Sequence, residues 1–455
     1  MQKEYTGTLL ITDKEITADL FAYEARYIEI DDDQPVHLQT QHLNVVSLHS
    51  NLPASTGTAF RASDDLRLRG LYHTKISSYV AVVGPSPWLS TDELKTASFR
   101  LPEAEFILRH LEKVERVLQE ELGSGADTEL FSVTVASMTI KCHYGMSYQR
   151  LKPIPDRLTI WITIDFDVPH TLRSYLPDVI AVEQLFALSA GFPLTPAELV
   201  ISRHTTDDMR ALMDQGQYSA GHHDIHYLWP EIKADRDRAW IGSSFIAATD
   251  DVELDGLKSC LAAWMERRQA WKKANGLMST TLMLQTEISP NRFLNACRWF
   301  EEIPIVGTEQ AISTADIEAI SNVASSRAAE LGYARLCDRI RGALKRIAME
   351  SQRSRFERLL KSVRVRFGVG TFEDEVVDDL LRAMALRGKA AHGHIGAENK
   401  HEHLLFVRSL FALEAFCFFL TVRDLLMSAE GTKRALGNPL VENYRHCPTV
   451  SVSAD

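Results

Sequence analysis

A change of hydrophobic rhythm near Asp250 is the feature that most constrains what this chain can fold into. Before it, short runs of β-formers are separated by Asp, Asn, Gly, Pro and Ser; after it, apolar residues recur at helical spacing. That switch predicts an α+β protein, with a β-rich amino-terminal domain on an antiparallel sheet and an all-α carboxy-terminal bundle. A chain of 455 residues is also too long for one small core, so two domains are expected. We place the β-rich domain at 1–250, a helical connector at 251–288 and the helical domain at 289–445.

The predicted strands are Tyr5 to Ile11, Arg26 to Ile30, His37 to Leu48, Tyr79 to Val83, Phe131 to Cys142 and Leu158 to Phe166. In the last, Leu158, Ile160, Ile162 and Ile164 alternate with Thr159, Trp161, Thr163 and Asp165, the period of a half-buried strand. Two helices interrupt the strands. One begins at Pro102, carries the stripe Ile107, Leu108, Leu111, Val114 and Leu118, and stops at Gly123; the other spans Leu172 to Leu188.

Beyond Asp250, Leu254 to Ala274 reads as one connecting helix. Ser289-Pro290 supplies a cap and a first-turn proline for a helix over Arg292 to Glu302. Further helices are predicted at Thr314 to Ile347 with a break near Gly332, at Arg353 to Val365, at Phe372 to Arg387 and at Glu402 to Ser428. Thr371 and Asp374 have the spacing of a capping box at the start of the Phe372 helix.

Composition narrows the function classes. No charged segment followed by a short apolar run opens the sequence, so secretion is not expected. The most apolar stretch, His403 to Met427, is interrupted by Arg408, Glu414, Arg423 and Asp424, which fits a core or interface helix better than a bilayer span. None of the six cysteines pairs at zinc-knuckle or redox-motif spacing, so reduced thiols in a cytoplasmic protein are expected.

A net charge of −11 argues against general attraction to nucleic acid. Between Arg335 and Arg366, however, eleven cations face only Asp338, Glu350 and Glu357. Such a run is either a solvated helix face or a phosphate-binding surface. Its candidate RNA contacts are Arg353, Arg355, Arg358, Lys361 and Arg364, with Lys389 beyond.

The chemistry-bearing motif follows that run. Arg387-Gly388-Lys389-Ala390-Ala391-His392 spaces an arginine and a histidine by four residues, and of the 16 histidines only His392 has an arginine five positions before it. The pair stands at the end of a predicted helix, between two apolar helices. An ordinary reading is a C-terminal helix cap. Elsewhere, His394, His401 and His403 lack carboxylate or cysteine company and read as a solvated loop. His222, His223 and His226, with Asp224, read as an exposed loop. No phosphate-cradling glycine loop, dinucleotide fingerprint, metalloprotease helix or nucleophile elbow is present. No cofactor and no metal are expected.

Arg-x4-His at a helix end in a small all-α domain resembles the HEPN superfamily, whose active members are metal-independent endoribonucleases. The layout is similar to ApeA-type antiphage proteins, with a β-rich domain ahead of a HEPN domain. Arg292 to Glu302 resembles the first helix of that type, which ends in an acid. The sequence departs from the pattern in having Gly388, where many members carry Asn, Asp or His.

The resemblance implies Arg387 and His392 as the catalytic pair, with Glu301 or Glu302 orienting them. It implies RNA, with tRNA one target, as substrate. It further implies a homodimer through the helical domain, to which the helix around Phe411, Phe416, Phe418 and Phe419 would supply area, and a phage product as trigger for the β-rich domain. A non-catalytic HEPN scaffold that dimerises and binds RNA is the alternative. The residue types suit the reaction: histidine exchanges protons near neutral pH, and the arginine fork matches a phosphate gaining charge.

Overall fold

The computed structural model describes residues 6–12, 14–22, 35–42, 44–58, 72–119, 128–147, 157–216, 221–228, 241–391 and 400–448. The chain is α+β. It divides into a sheet unit (Met1–Phe186, Leu194–Arg236 and Ala248–Leu254) and a helical unit (Ala187–Pro193, Asp237–Ala247 and Asp255–Asp455). The predicted strand Arg26 to Ile30, the expected stop at Gly123, and both His392 and His394 lie outside the described residues.

The strands are β1 (Thr6–Ile11), β2 (Ile16–Ala22), β3 (Val36–Gln39), β4 (Val45–Thr58), β5 (Tyr72–Gly84), β6 (Leu94–Arg100), β7 (Glu129–Val135), β8 (Met138–Ser147), β9 (Arg157–His170), β10 (Ala197–Ser202) and β11 (His222–Tyr227). They form one antiparallel sheet in the order β1-β2-β5-β11-β10-β6-β9-β8-β7, with β4 also pairing β5 and β3 pairing β4. One edge of the long β5 is taken by β4 and the other is shared, β2 pairing Tyr72 to Ser78 and β11 pairing Val80 to Val83. Ile16, Ala18, Leu20, Val46, Leu48, Ile76 and Ala81 pack as one apolar cluster on this part of the sheet.

Several strand expectations are refined. His37 to Leu48 and Phe131 to Cys142 are hairpins, the first turning between Gln39 and Val45 and the second at Ala136, with φ +52, and Ser137. The central strand β9 is buried on both faces rather than one: Ile160, Ile162 and Ile164 are covered, and so are Thr159 and Thr163. The Thr163 hydroxyl is satisfied by Ser98 at 2.9 Å.

The helices of the sheet unit are α1 (Leu111–Gln119), α2 (Leu176–Ala190, crossing the division) and α3 (Thr206–Asp214). The single helix expected from Pro102 is instead a 3-10 segment, Pro102–Leu108, followed by α1. Arg109 between them is extended, so Leu111 leaves the stripe and is exposed.

The remaining helices are α4 (Asp251–Arg267), α5 (Lys272–Met283), α6 (Pro290–Glu302), α7 (Thr314–Glu330), α8 (Cys337–Ile347), α9 (Gln352–Phe367), α10 (Val376–Ala391), α11 (Lys400–Val422), α12 (Ala429–Arg434) and α13 (Pro439–Arg445). The expected connector is thus two helices. Between them Arg267 stacks on Trp264 and Trp271, 5.0 and 4.1 Å from the ring centroids, and donates to the Thr421 carbonyl at 2.7 Å. Ser289 caps α6 by accepting from the Arg292 N–H, with Pro290 in the first turn as expected. The break at Gly332 is present, with φ +85, separating α7 from α8.

The Thr371–Asp374 capping box does not form. Thr371 is buried and donates to the Gly368 carbonyl at 2.6 Å within a 3-10 turn, Asp374 pairs with Arg364 at 2.8 Å, and α10 starts later.

Helix α11 is the core of the helical unit. Among the described residues only it is long and apolar enough to cross a membrane, and 89% of its most apolar window is buried inside the fold. Phe416 packs on Phe300, Phe356 and Phe372, and Phe419 on Phe367 and Phe372. Phe416, Phe418 and Phe419 are therefore spent on this unit's interior and offer no exposed interface area, contrary to expectation.

Two buried polar networks fix the geometry. Arg292 on α6 forks onto both carboxylate oxygens of Glu414 on α11, each at 2.7 Å. Arg408 on α11 donates to Asp379 on α10 at 2.8 Å, and the Tyr444 hydroxyl on α13 donates to the same carboxylate at 2.8 Å. Together they clamp α10 and α6 against α11, and these are the helices that carry the candidate site.

Candidate functional site

Helix α6 ends at Glu302 because Pro304 follows, leaving Glu301 and Glu302 in its last turn. Helix α10 runs through Gly388 without loosening and places Arg387 in its last turns. The two helix ends meet: the Arg387 guanidinium donates to the Glu301 carboxylate. Both side chains stay open to solvent, with Arg387 45% and Glu301 38% exposed, so a ligand can reach the pair. Glu302 points elsewhere, its carboxylate 3.9 Å from the Lys273 ammonium. Of the two candidate orienting acids, Glu301 is the one that touches Arg387.

The surroundings add positive charge. Arg355 on α9 lies over the Phe300 ring at 5.1 Å, donates to the Val306 carbonyl at 2.7 Å, and also interacts electrostatically with Glu301. Lys389 is exposed two residues beyond Arg387 and forms no ion pair among the described residues. One turn before Glu301, burial pushes the Cys297 thiol up to about 12, with Arg387 opposing, so no thiolate forms there at neutral pH.

The other candidate RNA contacts are mostly engaged within the helical unit. Arg353 pairs with Asp378 at 2.6 Å, and Arg364 holds Asp374 at 2.8 Å and the Phe372 carbonyl at 2.6 Å. Arg358 is held by Glu350 at 2.6 Å and Glu309 at 3.2 Å. Lys361 is the exception: it is exposed and lines a surface cleft of about 840 Å³ between α9 and the start of α10. That cleft mixes signs, with Glu357, Asp374 and Asp378 beside the cations.

The histidine expectations divide. His401 and His403 are exposed, but on the first turn of α11 rather than in a loop. His222, His223 and His226 are not in a loop either: they lie on β11, whose pairing with β5 and β10 supplies the backbone partners. Strand alternation exposes His222 and His226 and buries His223. Its ring meets the Trp88 ring edge-on, centroids 4.9 Å apart, and its Nε2 lies 3.1 Å from the Ser86 carbonyl.

Fold and site together define the class: an antiparallel-sheet unit joined to a helical unit in which an acid closing one helix holds an exposed arginine near the end of another. No family model, curated protein or solved structure matches the chain.

Proposed function

We propose that this chain is a metal-independent endoribonuclease of the HEPN kind, acting in antiphage defence by cutting host RNA, with tRNA a target class. The observation that carries the reading is the Glu301–Arg387 pair. A first-helix acid and the arginine of the Arg-x4-His motif, far apart in sequence, meet at an accessible surface.

The chemistry then assigns roles. The ribose 2′-oxygen attacks the adjacent phosphorus while the P–O5′ bond breaks, giving a 2′,3′-cyclic phosphate and a 5′-hydroxyl. His392 accepts the 2′-hydroxyl proton or protonates the leaving 5′-oxygen. Arg387, permanently cationic and two-pronged, stabilises charge on the non-bridging phosphate oxygens. Glu301 positions that fork before substrate arrives. A homodimer through the helical domain and a phage product sensed by the sheet domain complete the proposal.

The second reading, a non-catalytic RNA-binding scaffold, also has an observation in its favour: Glu301 already satisfies Arg387, so a phosphate must displace it. RNA end-mapping in cells with and without phage, comparing wild type with His392→Ala, decides between them. New 5′-hydroxyl ends that require both His392 and infection support the nuclease. Protection without such ends supports the scaffold.

A further inference from the structure

Helices α7 and α8 form a hairpin whose second arm is unusual: α8 has no buried residue at all, yet it is sharply two-sided. Cys337, Ile340 and Leu344 fall within about 60° of one another around the helix. The Cys337 thiol reaches the Ser325 carbonyl of α7 at 3.4 Å, which places that side toward α7. Arg339, Arg341, Lys345 and Arg346 occupy the opposite side, over an arc of about 160°, with Arg335 one turn ahead. All five are exposed.

Unlike Arg353, Arg358 and Arg364 of α9, these cations are held by no acid outside their own helix among the described residues. Arg335, Arg339 and Lys345 form no ion pair among the described residues. Arg341 reaches only Asp338, 3.4 Å away on its own helix, and Arg346 only the Gly342 carbonyl at 3.3 Å. In a chain of net charge −11, such a concentration of unneutralised charge attracts a polyanion locally and selectively.

Gly342 sits in the middle of this basic side. Glycine weakens a helix interior relative to alanine. Packing does not require it, since a Cβ there would meet nothing within 4 Å, and its backbone is not left-handed. What it provides is a gap in the side-chain layer, through which a phosphate can approach the helix between Arg339, Lys345 and Arg346.

We propose that this face of α8 docks the sugar–phosphate backbone of RNA and holds the substrate while Arg387 acts on it. The inference rests on the ribonuclease reading. Arginine forks suit phosphate oxygens, and the contacts would be blind to base sequence. A lipid surface fits less well, because Ile340 and Leu344 lie on the α7 side and Ile347 at the helix end is the one large apolar side chain that α8 leaves exposed.

The test uses full-length protein and a fluorescent 2′-O-methyl RNA hairpin, which cannot be cut by its own 2′-oxygen. Its affinity is measured across a potassium chloride series. For Arg339→Gln/Lys345→Gln/Arg346→Gln, affinity at moderate salt should fall tenfold or more. The slope of log K against log salt should become shallower by about two to three. Lys258→Gln/Lys433→Gln, removing cations of α4 and α12 that are each paired with an acid one turn away, should leave the slope unchanged. Gly342→Leu, which has room to fold, should also weaken binding, with thermal melting confirming that each variant is folded.

Wild-type affinity and slope in the triple variant would overturn the α8 surface alone if wild-type protein still cuts RNA in an Arg387-dependent way. No RNA binding by wild-type protein would overturn both the surface and the ribonuclease reading. Binding of phosphatidylserine vesicles in place of RNA, lost in the triple variant, would reassign the face to membranes.

Discussion

Glu301 and Arg387, 86 residues apart in sequence, form an ion pair that joins the end of α6 to the last turns of α10. Its exposure makes it a weak contributor to stability, about 0–1 kcal/mol, because solvent screens both charges and two long side chains must be ordered. A role in orienting Arg387 explains it better than a role in holding the fold.

Glu301→Ala should therefore shift the unfolding free energy by less than about 1 kcal/mol while lowering RNA cleavage about tenfold or more by loosening the arginine. Glu301→Gln, which retains an acceptor for the guanidinium, should recover part of that loss. A large loss of stability with unchanged cleavage would reverse the assignment. Paired melting curves and single-turnover cleavage rates separate the two.

The proposed reaction uses only the substrate's own 2′-oxygen, His392 and Arg387. Cleavage should persist in excess EDTA and stop when the ribose at the cut position is 2′-deoxy. His392→Ala should slow cleavage by roughly 10²-fold or more, the usual worth of a general acid or base. EDTA-sensitive cutting, or cutting of the deoxy substrate, would rule the mechanism out.

The Arg292–Glu414 pair poses the opposite case to Glu301–Arg387, since both of its side chains are almost wholly buried, 1% and 0% exposed. Arg292 also donates to the Gln285 and Glu287 carbonyls at 2.7 and 3.1 Å. Removing one partner strands a buried charge, so Glu414→Ala should cost about 3–5 kcal/mol. Arg292→Met/Glu414→Leu should recover most of that. Urea unfolding followed by tryptophan fluorescence, with Trp264, Trp271 and Trp299 all buried in the helical unit, reads both variants.

How much of this was legible in sequence depended on whether local signals agreed with tertiary ones. The β9 strand and the Ser289-Pro290 start were readable because β-propensity marks the one and a cap with a first-turn proline the other, although the β9 alternation hid that both faces are buried. The Thr371–Asp374 box failed because Arg364 claims Asp374 and a 3-10 turn claims Thr371. The histidines of β11 looked like a loop because nothing in the local sequence shows that β5 and β10 flank them. At the site, the motif named Arg387 and the family likeness offered two acids. Only packing chose Glu301 over Glu302, and only packing separated the α9 arginines held by acids of other segments from those of α8, which are not.

Three histidines of the sheet unit give a pH prediction. Burial lowers the pKa of His37, of His223, and of His49 to about 4. His37, on the exposed side of its strand, has Nδ1 2.8 Å from the buried Ser47 hydroxyl, which accepts from the Trp88 N–H at 2.9 Å. The charged groups acting on His49 are His37, Arg173 and Asp92, and Arg203, Asp92 and Asp224 act on His223. Their unfolded forms titrate near the ordinary histidine value, about 6.5, so below that pH the unfolded chain binds more protons. The stability these neutral rings confer is complete above pH 6.5 and falls as pH drops toward 4. His49, the one of the three lowered as far as about 4, contributes most of that loss. His49→Gln should flatten the slope of sheet-unit stability between pH 6.5 and 4. An unchanged slope in chemical-denaturation curves across that range would show that His49 is charged, or exposed, in the folded protein.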